Sequence, residues 1–186
     1  MNIVYFLGNG FDKAQGLKTS YPEFYEYLDK QEGSALLQNL KSDIRKDTKL
    51  WADMEEAFGQ FTSKIDTEED FQNLYFELSD YLQEYLKSEN EKFIPSVELK
   101  GKFYNDFLFF GKYLGELDRT RYNQFVNAFS SSIDINVITL NYTNTLEKLL
   151  SINTQVSNVN KNFNNNRILH NIIHVHGGLD DAIIIG

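Results

Sequence analysis

The chain has 186 residues, a formal net charge of −9 from 27 acidic and 18 basic side chains, and no cysteine. That length buries a core without covalent staples. The missing thiols exclude disulfides, thiolate zinc sites and cysteine nucleophiles, and the acidic balance is the opposite of a non-specific nucleic-acid binder's. The apolar start stops at Gly8, has no basic residue before it and is far short of a membrane span. A cytoplasmic protein with neither a membrane nor a nucleic acid as partner is therefore expected.

In chain order, residues 2–7 form an apolar run that reads as a buried strand. It meets Gly8-Asn9-Gly10 and a short segment closed by Gly16. Glycines at a strand-to-helix turn permit positive φ and let a ligand approach the backbone, and free N–H groups at a helix start suit a phosphate. The spacing is not G-x-G-x-x-G, because Lys13 stands in place of the third glycine. The same pattern also describes a tight turn with no ligand. Ser20, Pro22 and Glu23 form a helix-start signature, followed by Phe24, Tyr27 and Leu28 at helical spacing. Further helices are expected around 36–40 and 50–58. A long one is expected from Thr67, with Phe71, Leu74, Tyr75, Leu78, Tyr81, Leu82 and Tyr85 on one face. Helical spacing resumes from Phe103 to Phe110 and around Phe125 and Phe129.

The pattern changes at Ile133. Residues 135–140 are β-branched and apolar and read as a strand, followed by a short helix from Thr145 to Leu150. Residues 151–171 are rich in asparagine and read as loop, with a short strand near Val156. Residues 172–176 and 182–185 read as two more strands. The expected fold is α/β: one domain over residues 1–186, with a Rossmann-like parallel sheet from 2–7 and 133–186. A large helical insertion over roughly 20–130 follows the first βα unit.

In open α/β sheets, ligands bind beyond the carboxyl ends of the strands. Three polar clusters fall there: Asn9 and Asp12, then Asn141 to Asn144, then His176 and Gly177. Asparagine orients a water or a ribose hydroxyl with donor and acceptor together. Histidine takes a proton near neutral pH, and Asp12 faces a hydroxyl or a developing cation. The plain alternatives are that Asn141 caps the following helix, that Asp12 favours a helix N-terminus by its charge, and that His174 is a core histidine with its hydrogen bonds made. His174 and His176 share a strand face and His170 is near in sequence. The nearest acids, Asp180 and Asp181, lie past a glycine turn, so no metal site is expected.

Several stretches resemble the bacteriophage abortive infection AbiH family. They are LGNGFDKAQGLKTSYPEF (residues 7–24), LWADMEEAF (50–58), TLNYTNTLEKL (139–149), IHVHGGL (173–179) and the final IIIG. The matches run in order along the whole chain. A more distant similarity to sirtuin-like NAD-consuming domains pairs the Gly8-Asn9-Gly10 turn with Thr139-Leu140-Asn141 and His176-Gly177. That similarity implies a sirtuin-like version of the fold, with NAD as substrate or ligand and no metal. It implies Asn141 and His176 as catalytic residues, and Gly8, Gly10, Thr139 and Gly177 as cofactor-binding residues. Asn9 and Asp12 stand where that glycine turn usually has small residues, and they join the cofactor-binding set from their place after the first strand. The cysteine zinc module of sirtuin deacetylases is absent, so NAD hydrolysis is implied rather than acyl-lysine chemistry.

Two functions stay open. One is an anti-phage NAD glycohydrolase, a hydrolase that depletes NAD. The other is a non-catalytic nucleotide-sensing or partner-binding module of a phage-defence system. AbiH-like proteins generally continue past this final triplet of isoleucines, so C-terminal truncation is expected. The Ile183–Ile185 run at a sheet edge invites pairing with another chain, so a homo-oligomer is expected unless part of the fold is missing.

Overall fold

The computed structural model describes residues 1–47, 53–128, 132–152, 159–164 and 167–185. In chain order the strands and α-helices of the described residues are β1 (Asn2–Leu7), α1 (Asn9–Ala14), α2 (Tyr21–Leu28), α3 (Ala35–Lys46), α4 (Met54–Phe61), α5 (Glu68–Lys92), α6 (Val97–Leu108), α7 (Glu116–Ala128), β2 (Ile133–Thr139), α8 (Thr145–Leu150), β3 (Lys161–Asn164) and β4 (Arg167–His174). They make two compact units. The first holds Met1–Leu7, Ile94–Thr139 and Asn144–Val175, and the second holds Gly8–Phe93, Leu140–Thr143 and His176–Gly186.

The first unit contains a four-stranded sheet in the order β1-β2-β4-β3. The pairs β1/β2 and β2/β4 are parallel, and β3/β4 is antiparallel. The mixed α/β class and the mostly parallel sheet agree with the sequence pattern. β2 is central and alternates, with Ile133, Ile135, Val137 and Thr139 buried, as period-2 patterning requires. Tyr5 of β1 stacks on Phe107 of α6 and donates its hydroxyl proton to the Phe107 carbonyl at 2.6 Å. Leu146, Leu149 and Leu150 bury the apolar side of α8. Leu7, Thr139 and His174 pair in one row across the sheet. The three parallel strands therefore end together, and the segments that follow them leave from the same edge.

Three expectations about strands fail here. β1 is not a buried strand: it lies at the sheet edge, and Val4 and Phe6 are exposed. The asparagine-rich tract is not all loop: β3 and the first half of β4 form an antiparallel hairpin within it. β3 has weak strand propensity of its own and is held by its partner's backbone. Residues 182–185 are not a strand. Ile183 and Ile185 are buried in the core of the second unit and Ile184 is exposed, so the alternation is real but has no ladder. The backbone there bonds instead to His176 and Tyr75, with Ile184 N donating to the His176 carbonyl at 2.9 Å and Ile185 N to the Tyr75 hydroxyl at 3.2 Å. β2 begins two residues before its expected start, and β4 stops at His174, before His176. The expected strand near Val156 and residues 50–52 of the expected 50–58 helix lie outside the described residues.

The second unit is helical around one core. α2 starts as its sequence demands, with Ser20 N donating to Glu23 Oε2 at 3.0 Å in a capping box. Thr67 caps α5 by accepting from Asp70 N at 3.1 Å. Leu74, Leu78, Leu82 and Leu86 then recur every four residues and are all buried, which sets the face that α2, α3 and α4 cover. Among the described residues, no helix is long and apolar enough to cross a membrane.

Candidate functional site

The second unit holds a half-open cavity of about 220 Å³. Its apolar wall is Phe24 of α2 with Leu82 and Leu86 of α5, all nearly inaccessible. Part of its polar wall comes from chain segments that follow strands. Asn9 and Asp12 lie on α1, the first element after β1. Asn141, Tyr142 and Thr143 follow β2, and His176 follows β4. Asn9, Asp12, Asn141 and His176 therefore share one cavity.

Asp12 is 1 % exposed, and its Oδ2 accepts from Thr143 Oγ1 at 2.6 Å. That bond ties α1 to the 140–143 segment. Asn9 Oδ1 accepts from Thr19 Oγ1 at 2.5 Å. Asn141 is 7 % exposed. The N-cap position of α8 belongs to Asn144 and not to Asn141. His176 is half-buried, and its Nδ1 lies 3.4 Å from the Tyr142 hydroxyl.

Tyr21 and Glu55 also line the cavity, and sequence reasoning passed over both. Tyr21 donates to Glu55 Oε1 at 2.5 Å. Burial, the Glu55 carboxylate and Tyr142 together hold the Tyr21 phenol well above its ordinary range. Burial also pushes Tyr142 up to about 12, Glu55 and Tyr75 adding to the effect and its hydrogen bond with Tyr21 opposing it. Both phenols keep their protons at neutral pH, so they act as hydrogen-bonding groups and not as bases. The signal for Glu55 was present in the 50–58 motif, which served only to recognise a family. Tyr21 was masked by its place at a helix start.

The remaining expected residues fall elsewhere. Gly8 and Gly10 belong to the second unit but do not line the cavity, and neither has positive φ. Conformational freedom is needed instead at Gly16 and Gly177, with φ of +83° and +79°. Gly177 adjoins the lining residue His176. Thr139 is buried in β2 of the first unit. His170 pairs with Asp134 and His174 with Glu147, each at 2.8 Å. His174 is thus an engaged histidine of the first unit. Among the described residues, no group of three histidine or acidic side chains is placed to hold a metal ion.

The sequence profile of the bacteriophage abortive infection AbiH family matches residues 4–186. The chain belongs to that family. Membership implies a role in abortive infection, in which a bacterial cell halts phage growth. Searches of curated proteins and of solved structures returned no match. For this AbiH-family chain, the cavity of the second unit is the candidate site.

Proposed function

We propose that this chain serves abortive infection by cleaving the nicotinamide–ribose bond of NAD. The observation that carries the reading is the meeting of Asn141, His176 and Asp12 in one half-open cavity. The charge balance supports it. Among the described residues lining the cavity, none is lysine or arginine, while Asp12 and Glu55 are acidic. Such a pocket favours a cation or a set of hydroxyls over a phosphate. The nicotinamide riboside half of NAD is cationic and hydroxyl-rich.

Size narrows the pose. At about 220 Å³ the cavity is below the ~300–1,000 Å³ usual for drug-sized ligands. It suits one half of a dinucleotide, with the diphosphate outside it. Gly8 and Gly10 offer a backbone approach for that diphosphate, since a Cβ at either would meet nothing within 4 Å.

In the proposed reaction the C–N glycosidic bond breaks and nicotinamide leaves with the bonding electron pair, as a neutral molecule. The ribose carbon becomes oxocarbenium-like, and the acidic wall favours that charge. Asn141 orients a water, His176 takes its proton as the new C–O bond forms, and ADP-ribose results. Incubating purified protein with NAD and measuring released nicotinamide by chromatography tests the reading. Release that is lost in His176→Ala and unchanged by EDTA supports it. NAD binding without release would favour a sensing module instead.

A further inference from the structure

We propose that Tyr142 is a positioning residue for His176, holding its imidazole as the tautomer protonated at Nδ1 and leaving Nε2 as the basic nitrogen. This rests on the reading of His176 as the base.

The argument begins with the turn after His176. Gly177 has φ of +79°, and a Cβ there would stand 2.1 Å from the Ala182 carbonyl oxygen. The turn therefore requires glycine, and it brings the chain back past His176. Ile184 N donates to the His176 carbonyl at 2.9 Å. The Ile184 carbonyl accepts from the Tyr142 hydroxyl at 3.1 Å. The same hydroxyl oxygen stands 3.4 Å from His176 Nδ1, with the two rings edge to face at 5.8 Å and 66°. The three residues close a ring of contacts.

Proton counting then decides the tautomer. A phenol has one proton, and a carbonyl oxygen only accepts. The shorter contact is to the Ile184 carbonyl, and the Tyr21 hydroxyl is a further hydrogen-bond partner of Tyr142, so the single Tyr142 proton has acceptors other than Nδ1. What the Tyr142 oxygen presents to Nδ1 is a lone pair, which matches an N–H and repels an imine nitrogen. Tyr21 keeps its own proton on Glu55 Oε1 at 2.5 Å, so its hydroxyl oxygen can accept from Tyr142, which again leaves a lone pair of Tyr142 facing Nδ1. The 3.4 Å separation is longer than a strong hydrogen bond, and contacts of this kind tighten when a ligand closes the site. The group that holds the second ring nitrogen sets which nitrogen is reactive.

Nitrogen-15 labelling of histidine reads the tautomer directly, with His176→Gln used to assign the resonances. At a pH where His176 is neutral, the wild-type spectrum should show a protonated, pyrrole-type Nδ1 and an unprotonated, pyridine-type Nε2. In Tyr142→Phe the preference should fall toward a mixture of tautomers, and kcat for nicotinamide release should drop with KM little changed. A wild-type His176 protonated at Nε2 would overturn the proposal, and it needs no variant to fold. So would an unchanged tautomer in folded Tyr142→Phe. The expected tautomer together with no nicotinamide release would uphold the role of Tyr142 and remove the NAD reading, which separates the two failures.

Discussion

Asn141 and His176 come from segments 35 positions apart and face one cavity. Removing a general base typically costs on the order of 100-fold or more in rate. His176→Ala is therefore expected to lose at least that much nicotinamide release, and Asn141→Ala to lose most of it, with circular dichroism unchanged in both. Full activity in a folded His176→Ala would refute the assignment. The tyrosines make a second, pH-dependent statement. Burial pushes Tyr5, Tyr27 and Tyr142 from 10.0 up to about 12, and raises Tyr21 and Tyr85 as well. A phenol whose folded pKa exceeds its unfolded value binds its proton more tightly in the folded state. Its contribution to stability is complete below pH 10 and is lost as pH rises through about 12. Urea midpoints should stay level up to about pH 10 from this cause and then fall. The fall should be shallower in Tyr142→Phe.

At the scale of elements, the glycines expected to bind a cofactor separate into two kinds. Gly177 lies at positive φ with the Ala182 carbonyl in the path of any Cβ. Gly177→Ala should open the return of residues 178–184 and lower stability, at about 1–2 kcal/mol for the left-handed backbone before any clash. Thermal unfolding measures the loss, and it should come with a change in the His176 resonances. Gly8 and Gly10 have open space around them and ordinary φ. Alanine at either should leave thermal stability nearly unchanged. If a diphosphate approaches that backbone, NAD affinity should fall in the same variants. Equal affinity in both would remove Gly8 and Gly10 from the site. Thr67 at the start of α5 gives a simpler case. Its hydroxyl satisfies Asp70 N, and Thr67→Ala should cost about 1 kcal/mol.

At the scale of the molecule, neither compact unit is continuous in sequence. Segments 8–93, 140–143 and 176–186 form the second unit, each following a strand of the first or the residue after it. The core of the second unit centres on α5, where Leu78 is 0 % exposed. Leu78→Ala should cost about 2–5 kcal/mol, as buried leucine truncations do. Phe76, on the same helix, is 61 % exposed. Phe76→Ala should stay within about 0.5 kcal/mol. Urea denaturation followed by far-ultraviolet circular dichroism distinguishes the two. Similar midpoints for both variants would show that α5 does not anchor the core in this way.

Much of this architecture was legible in local chemistry. A capping box wrote the start of α2, a four-residue leucine period wrote α5, and a β-branched run wrote β2, because helix and strand periods act over a few residues. The same signals placed polar residues after strand ends, where the topology of parallel sheets brings segments together. What they left open was set by partners distant in sequence. β3 exists through pairing with β4, and Ile183 to Ile185 fail to be a strand because their backbone bonds to His176 and Tyr75 and not to a neighbouring strand. Tyr21 and Glu55 became site residues only when α2 and α4 folded onto the cavity that also holds Tyr142 and His176. Periodicity shows which face of an element is apolar. The face it meets, and so the shape and charge of the cavity, is decided by tertiary packing alone.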